Sequence, residues 1–391
     1  MIHLLLVIIY LAFISLGLPD ALLGSAWPVM YEEFGVPISY AGMVAMIISV
    51  GTILSSLMSD RLTRAFGAGK VTAVSVAATA AALAGFGLST SFWMLCLWAI
   101  PYGLGAGSVD ASLNNYVALH YESRHMSWLH CMWGVGAMTG PYIMGFVLTG
   151  GYPWNVGYGF ISVLQFLLTA VLFVSLPIWK RSKTDTTGET VANRKPLSLG
   201  EIVRIPGAGS VMLCFFCYCA IEQTAGLWAS SYLNLCKGVD ADTAAGFASL
   251  YFVGITVGRA LSGFVTMKFT DTQMIRAGFA VIAVGVGVML LPFGTELSLI
   301  GLVLAGLGCA PIYPCVIHST PAHFGEENSQ ALIGVQMASA YVGVCLMPPL
   351  FGVIARSISV SLLPVYLMAL LVLMAVMYEL LLKHAKGGKV R

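Results

Sequence analysis

Apolar runs of about 20 residues, separated by short polar breaks, follow one another along almost the whole chain. A run of this length can cross the hydrocarbon core of a bilayer as one helix. Helices satisfy their own backbone polar groups, which lipid cannot do, so such runs fold as helices. We therefore predict an all-α membrane protein with twelve transmembrane helices, at residues 3–26, 38–59, 70–88, 92–119, 126–150, 155–179, 208–234, 242–267, 272–291, 296–318, 328–353 and 360–383.

Charged residues are too scarce for a water-soluble surface. Of the 391 residues, 58% are hydrophobic and only 9% are charged, and the mean hydropathy is +0.88. A soluble domain carries roughly 25% charged residues. The composition therefore predicts a multi-pass protein of the cell membrane, with the lipid bilayer as its partner and no nucleic acid. The first run lacks a small-residue cleavage site, so we interpret it as a helix rather than a removed signal peptide.

The sequence contains no pattern for ATP binding or catalysis. The Walker loop GxxxxGK[ST] is missing, which excludes ATP as the direct energy source. Neither a metalloenzyme pattern nor a set of residues for nucleophilic catalysis occurs in the chain. We therefore predict a protein that is not an enzyme, needs no metal or cofactor, and acts as a monomer.

One long hydrophilic stretch divides the chain. It runs from Lys180 to Arg204 and is rich in Thr, Asp and Gly, as flexible linkers are. Six predicted helices precede it and six follow it. The predicted domains are an N-terminal six-helix bundle at 1–180, a linker at 181–205 and a C-terminal six-helix bundle at 206–391. We expect pseudo-two-fold symmetry between the bundles and a site near the midplane.

Basic residues are unevenly distributed between the two sides of the membrane. The breaks after even-numbered helices, the linker and the C-terminal tail hold most of them, and the opposite side has only Lys237 and Arg356. By the positive-inside rule, both termini and the linker are predicted to be cytoplasmic. The break after the tenth helix is an exception that charge does not explain, because it carries Glu326 and Glu327 without Lys or Arg.

Two related segments, one after the second predicted helix and one at the end of the eighth, each place a small residue and an arginine at a predicted tight cytoplasmic turn. The first reads Ser59-Asp60-Arg61-Leu62-Thr63-Arg64, and the second reads Gly258-Arg259-Ala260-Leu261-Ser262-Gly263. They resemble the loop motif of the major facilitator superfamily, although Ser56 replaces the leading glycine and the second copy lacks the aspartate. The resemblance implies a cytoplasmic gate, in which charge clamps two helices together, formed by Asp60, Arg61, Arg64 and Arg259. Ordinary positive-inside anchoring is the alternative.

Polar residues inside three apolar segments refine this resemblance. The fourth segment has Asp110 four residues before Asn114. The fifth has an aromatic residue and glycines from Trp133 to Gly136, and then Gly140-Pro141. The seventh has Glu222 before Trp228. These features resemble the fucose permease-like branch of proton-coupled sugar symporters. In that branch an acid in the first helix and one in the fourth carry proton coupling and sugar binding, which implies Asp20 and Asp110 here.

The same acids indicate a function independently of the family resemblance. Asp20, Asp110 and Glu222 lie deepest in apolar segments, with no lysine nearby in sequence. A charged side chain within the membrane is costly and usually functional. Burial disfavours the ionised carboxyl, so such a group can bind a proton on one side and release it on the other. We predict proton coupling by these acids. Structural hydrogen bonds, or a sodium site at Asp110, Ser112 and Asn114, are the alternatives.

A neutral sugar needs hydrogen-bonding groups and flat apolar surfaces. Trp133 and Trp228 are predicted stacking platforms, and His130 could instead be a packed structural histidine. The lack of an inward Lys or Arg argues against an anionic substrate. The predicted function is proton-coupled uptake of a neutral sugar. A drug or metabolite exporter and a membrane sugar sensor are the alternatives. The predicted hydrogen-bonding residues are Asn114, Asn115, His130, Glu222, Gln223, Gln336 and Tyr341.

Overall fold

Every regular element is helical in the computed structural model, which describes residues 2–181, 196–291 and 294–388. The first seven helices are α1 (Ile2–Gly17), α2 (Leu22–Glu33), α3 (Ala41–Phe66), α4 (Ala68–Gly87), α5 (Phe92–His120), α6 (Ser123–Thr149) and α7 (Trp154–Arg181). The later helices are α8 (Leu199–Arg204), α9 (Ala208–Lys237), α10 (Ala241–Val265), α11 (Asp271–Leu290), α12 (Thr295–Cys309), α13 (Ile312–His318), α14 (Thr320–Phe324), α15 (Glu326–Ser357) and α16 (Leu363–Gly388).

Two compact units divide these helices. The first contains Met1–Tyr116 and Leu129–Pro196, and the second contains Val117–Trp128 and Leu197–Arg391. In the first, α4 packs along α7, and in the second, α9 packs along α15 and α16. The predicted domain boundaries at 180 and 206 stay predictions. The sequence did not suggest that the segment joining α5 to α6 belongs to the second unit.

The predicted fold class is confirmed. Eleven helical spans in the described ranges are long and apolar enough to cross a membrane, and the shorter apolar helix Ser249–Val265 in α10 supplies the twelfth. Two of the spans contain interrupted helices. The first span breaks between Gly17 and Leu22, at Pro19, and the tenth breaks at Ala310 and Pro311. Proline lacks the backbone N–H that a helix interior needs, which explains both positions.

The second predicted helix ends later than expected. Helix α3 continues to Phe66 and stops at Gly67, whose φ of 81° a residue with a side chain rarely adopts. Asp60, Arg61 and Arg64 therefore lie on a helix, and the expectation that they lie in a turn is wrong. Arg64 Nε donates to Asp60 Oδ1 at 2.8 Å, within one turn of α3. Arg61 is exposed.

Polar segments outside the long helices are more ordered than their composition indicated. Residues 182–195 of the predicted linker lie outside the described residues, but its end forms α8. A capping box between Ser198 and Glu201 starts this helix. The unexplained acids Glu326 and Glu327 occupy the first turn of α15. The positive end of the helix dipole stabilises acidic side chains there, which accounts for the exception to the charge rule.

Glycines set the distances between helices of the first unit. A Cβ atom added to Gly136 of α6 would lie 2.1 Å from Ile14 O of α1, and one added to Gly140 would lie 1.9 Å from Leu18 O. Gly103 of α5 approaches α3 in the same way, 2.3 Å from Ile48 O. Such contacts let backbones meet where larger side chains would separate them. The spacing of four residues places Gly136 and Gly140 on one face of α6, so Gly136 meets α1 and Gly140 meets Leu18 directly after it.

We predict that Gly136→Ala destabilises the protein. The new methyl group would overlap a backbone oxygen, so α1 and α6 must separate, at a cost of at least about 2 kcal/mol. Gly145 lies on the same helix with no atom within 4 Å of its added Cβ, so Gly145→Ala is the matched control. Thermal unfolding of both purified variants measures the difference. Equal unfolding temperatures would contradict tight packing between α1 and α6.

Candidate functional site

The break between α1 and α2 presents an acid of the first unit. Asp20 lies in this break, where its side chain is exposed. Trp133 Nε1 of α6 donates a hydrogen bond to Asp20 Oδ2 at 2.8 Å, and Tyr102 is a second hydrogen-bond partner. Gly17 allows this arrangement, because an added Cβ would lie 2.1 Å from Trp133 O. Trp133, predicted as a stacking platform, thus also orients Asp20.

Three predicted residues form a buried polar chain in the first unit. Asn114 Nδ2 donates to Asp110 Oδ1 at 2.7 Å, and Asn114 Oδ1 lies 2.9 Å from His130 Nε2. With its NH₂ toward the acid, the amide oxygen must accept from an N–H of His130. The exposed fractions are 8%, 0% and 4% for Asp110, Asn114 and His130. Spacing of four residues on α5 produces the first bond, as the sequence indicated.

The two acids of the first unit interact electrostatically, so protonation of one affects the other. Among the described residues, no Lys or Arg forms an ion pair with either Asp20 or Asp110. Asn115 is also buried on α5. His130 contacts the ring of Phe13 edge-on, with ring centroids 5.4 Å apart. The polar chain therefore connects α5 to α6 and α1.

A buried ion pair occupies the interior of the second unit. Arg259 Nη2 of α10 lies 3.2 Å from Glu222 Oε2 of α9, and Tyr218 donates to the same carboxylate oxygen. Arg259 is 2% exposed and Glu222 is 7% exposed. Two expectations are therefore wrong. Glu222 has a cationic partner, and Arg259 lies inside the helical bundle rather than at a turn. No sequence pattern indicated that these two side chains, on different helices, form an ion pair.

Two tyrosines complete this ion pair. The Arg259 guanidinium lies 5.8 Å from the ring centroid of Tyr313, in cation–π contact, and donates to Tyr218 Oη at 3.3 Å. Sequence reasoning missed both tyrosines. Tyr218 was detectable, because it lies four residues before Glu222 on the same helix. The cluster holds both charges in place, and removal of either side chain would leave the other ion buried without a partner.

The remaining predicted binding residues of the second unit are dispersed. Trp228 Nε1 donates to Pro348 O at 3.1 Å, and its ring contacts Phe351 edge-on. Gln336 is fully buried and exchanges hydrogen bonds with Thr320. Gln223 and Tyr341 are both partly exposed. In this conformation Trp228 and Gln336 link helices of the second unit, and their contact with a substrate stays a prediction.

A metal or sodium site finds little support in these contacts. No three His, Cys, Asp or Glu side chains of the described ranges lie close enough together to bind one metal ion. Asn114 turns its NH₂ group, not its oxygen, toward Asp110. A small cation would need both oxygens. The arrangement suits hydrogen bonding and proton binding better.

The sequence matches one family model over most of its length. The model described as the Major Facilitator Superfamily matches residues 9–247 and 211–390. Among curated proteins, Bypass of stop codon protein 6 of Saccharomyces cerevisiae is 22% identical over 96% of this chain and 82% of its own length. The glucose/mannose transporter GlcP of Bacillus subtilis is 21% identical over 88% of this chain and 86% of its own.

Solved structures have the same fold. The proton:xylose symporter XylE superposes with a TM-score of 0.78 at 13% identity, covering 96% of this chain and 94% of its own. The transporter FucP in its outward conformation superposes with a TM-score of 0.74 at 15% identity, covering 95% and 98%. At these identities the likeness concerns the fold.

We predict that Arg259→Gln strongly destabilises the protein, because it leaves Glu222 buried without a counter-ion. Breaking a buried pair in this way costs about 3–5 kcal/mol. The double variant Glu222→Gln with Arg259→Gln removes both charges and should recover most of the loss.

Thermal unfolding of the purified variants measures both effects. Arg276→Gln is the matched control, because Arg276 pairs with Glu379 at the surface, where the two side chains are 55% and 46% exposed. Such a pair contributes at most about 1 kcal/mol. If Arg259→Gln and Arg276→Gln unfold alike, the buried pair is not stabilised by mutual neutralisation.

Proposed function

The chain belongs to the major facilitator superfamily, and on this basis we propose that it is a secondary transporter that takes up a neutral sugar together with protons. Members of this superfamily are transporters rather than enzymes. Proton coupling, the sugar substrate and the direction of transport are the parts that we propose. The cytoplasmic location of both termini is proposed with them, from the distribution of basic residues.

The observation that carries the proposal is that the buried acids of the two units have different partners. Glu222 is neutralised by Arg259, whereas the Asp110 carboxyl accepts a hydrogen bond from the uncharged amide of Asn114. A buried carboxyl that lacks a cation is most stable when it binds a proton. Asp110 can therefore alternate between protonated and ionised forms at small cost to the fold. Asp20, exposed and in electrostatic contact with Asp110, can pass the proton to or from water.

The same charges support a neutral substrate. The buried cation Arg259 already faces a carboxylate, so an anionic substrate that binds to it would have to displace Glu222. A polyol can instead use uncharged donors and acceptors such as Asn115 and Gln223. The face of Trp133, held by its bond to Asp20, can pack against the C–H face of a sugar ring. The names of GlcP and XylE, which refer to glucose, mannose and xylose, support a monosaccharide.

Substrate and proton would be coupled through the chain from Asp110 to His130. When Asp110 is ionised, Asn114 donates to it. When Asp110 is protonated, its O–H can donate to the amide oxygen, which requires the amide to turn over. The reversal would reach His130 on α6 and Trp133 one turn further along. Proton binding would thereby alter the groups that face the sugar.

A second candidate is a transporter of small carboxylates. It is favoured by Arg259, because a buried guanidinium can hold a carboxylate with two parallel hydrogen bonds once Glu222 is protonated or displaced. The lack of an inward arginine was the sequence argument against this substrate class, and that premise was wrong. The exporter and sensor alternatives gain no specific support from the contacts described above.

Uptake into proteoliposomes separates these candidates. A panel of hexoses, deoxyhexoses and pentoses, with succinate as a carboxylate, should be tested with an inward proton gradient, an inward sodium gradient and neither. We expect accumulation of one or a few sugars with the proton gradient alone. Succinate uptake without sugar uptake would establish the second candidate. Accumulation driven only by sodium would overturn proton coupling.

We predict that Asp110→Asn abolishes sugar accumulation against a gradient but retains exchange of sugar across the membrane. Asparagine keeps the shape and removes the titratable proton. The comparison of pH-driven uptake with equilibrium exchange measures this split. Glu296→Gln removes an exposed acid and is the control that should retain both activities. Unimpaired accumulation by Asp110→Asn would show that the acid is structural.

The proposed role of Trp133 predicts different results for two substitutions. Trp133→Ala removes the stacking face and should weaken sugar binding roughly tenfold or more. Trp133→Phe keeps an aromatic face and loses only the bond to Asp20, so sugar binding should fall less than its coupling to pH. Calorimetry on purified protein measures both. Equal affinities for the wild type and Trp133→Ala would place the sugar elsewhere.

A further inference from the structure

The segment Val117–Trp128 contains the end of α5, the connection to α6 and the start of α6, and it packs with the second unit. Two separate contacts hold it there. At its end, Trp128 Nε1 donates to Ala260 O at 3.3 Å, and its ring contacts Phe264 edge-on at 5.3 Å. Gly263 makes room for this ring, because a Cβ atom there would lie 2.0 Å from Trp128 Nε1. The ring of Trp128 also contacts His125 edge-on at 5.5 Å.

The other contact is polar and centres on His318, the last residue of α13. His318 Nδ1 lies 2.6 Å from Asp271 Oδ2 of α11, and His318 Nε2 lies 3.1 Å from the carbonyl oxygen of Tyr121. Ser123 Oγ donates to the other oxygen of Asp271 at 2.5 Å. The carboxylate of α11 thus meets the joining segment directly through Ser123, and indirectly through the imidazole ring.

Hydrogen-bond chemistry fixes the protonation of this ring. A backbone carbonyl can only accept, so His318 Nε2 must carry a hydrogen. An ionised carboxylate can also only accept, so His318 Nδ1 must carry one as well. An imidazole with both nitrogens protonated is an imidazolium cation, and its charge is balanced by Asp271. A neutral ring would have one donor for two acceptors.

We propose that His318, Asp271 and the carbonyl of Tyr121 form a proton-binding site, distinct from the acids of the first unit, which holds the segment Val117–Trp128 against α11 and α13. Loss of the proton breaks one of the two ring contacts and leaves Asp271 without its counter-charge. The hydrogen bonds of Trp128 and Ser123 then remain. Because the segment includes the last residues of α5, the proton at His318 restrains the end of the helix that carries Asp110.

Other titratable groups nearby do not duplicate this role. Cys315 of α13 and Tyr378 of α16 both interact electrostatically with Asp271. Thiol and phenol groups are ordinarily neutral at pH 7. Among the charged side chains near in sequence, Arg276 pairs with Glu379 at 2.7 Å, Arg124 pairs with Glu122 at 3.2 Å, and Lys268 is exposed. Two more histidines, His120 and His125, lie in the segment itself, and His125 contacts the rings of Tyr121 and Trp128 edge-on. The bonds to Asp271 and to the carbonyl of Tyr121 belong to His318, so His125→Gln should keep the pH dependence that His318→Gln removes.

Nitrogen NMR of the histidine rings tests the site directly. The full-length protein, labelled with ¹⁵N-histidine in lipid nanodiscs, contains seven histidines, and His318→Gln identifies the signals of His318. We expect both of its ring nitrogens to be protonated at pH 7. His384 is exposed on α16 and serves as the reference ring, identified by His384→Gln. A His318 ring that is neutral at pH 7, with one protonated nitrogen, would overturn the proposal.

Hydrogen–deuterium exchange tests the mechanical consequence. After correction for intrinsic exchange rates, peptides covering residues 117–128 should exchange roughly tenfold faster at pH 9 than at pH 6 in the wild type. His318→Gln should exchange fast at both values, and His384→Gln should behave as the wild type. Protection that depends on neither pH nor His318 would overturn the proposal.

Neither measurement uses a sugar, so their outcome is independent of the proposed substrate. If His318→Gln fails to fold, the variant Asp271→Asn still decides the matter. Asp271→Asn provides a second route, because it should also release residues 117–128 and lower the fraction of protonated His318 rings at pH 7.

Discussion

An ionised side chain inside a membrane protein must be neutralised by a neighbour or must itself become neutral. The second unit follows the first course, with Arg259 and Glu222 in contact and two tyrosines completing the cluster. The first unit has no such pair around Asp110, whose hydrogen-bond partner is the amide of Asn114. Under the proposed function, this asymmetry would give the two units different tasks. A fixed pair gives rigidity, whereas an acid without a cation can exchange a proton.

Close backbone contacts make the acidic site of the first unit possible. Gly17, Gly136 and Gly140 bring α1 and α6 together, so that Asp20 in the helix break reaches the indole of Trp133. The break itself follows from Pro19. Broken helices recur at the substrate sites of transporters because they present polar groups at membrane depth. In this chain the break places the accessible carboxyl group of Asp20 in electrostatic contact with buried Asp110.

Protons can act at two places in this picture. In the first unit they would neutralise Asp110 and drive uptake. At His318 they would hold the segment Val117–Trp128, which includes the end of α5. The two sites have opposite chemistry, because the proton removes a charge at Asp110 and creates one at His318. Acidification would therefore protonate Asp110 and at the same time hold the segment Val117–Trp128 against α11 and α13. This combination would limit movement of α5 when protons are abundant.

Hydropathy alone determined the membrane class and the twelve spans, because the length of an apolar run and the distribution of charge are local properties of the chain. Local spacing likewise determined the contact between Asp110 and Asn114, which one helical turn brings together. The ion pair of Glu222 with Arg259, the chain to His130 and the ring contacts of His318 were decided by tertiary structure. Each joins residues on different helices, and which faces of two helices meet depends on packing of side chains and glycines that no periodicity in one segment records. For the same reason the sequence could identify Arg259 as part of a motif, but only the tertiary structure showed that its side chain lies in the interior of the second unit.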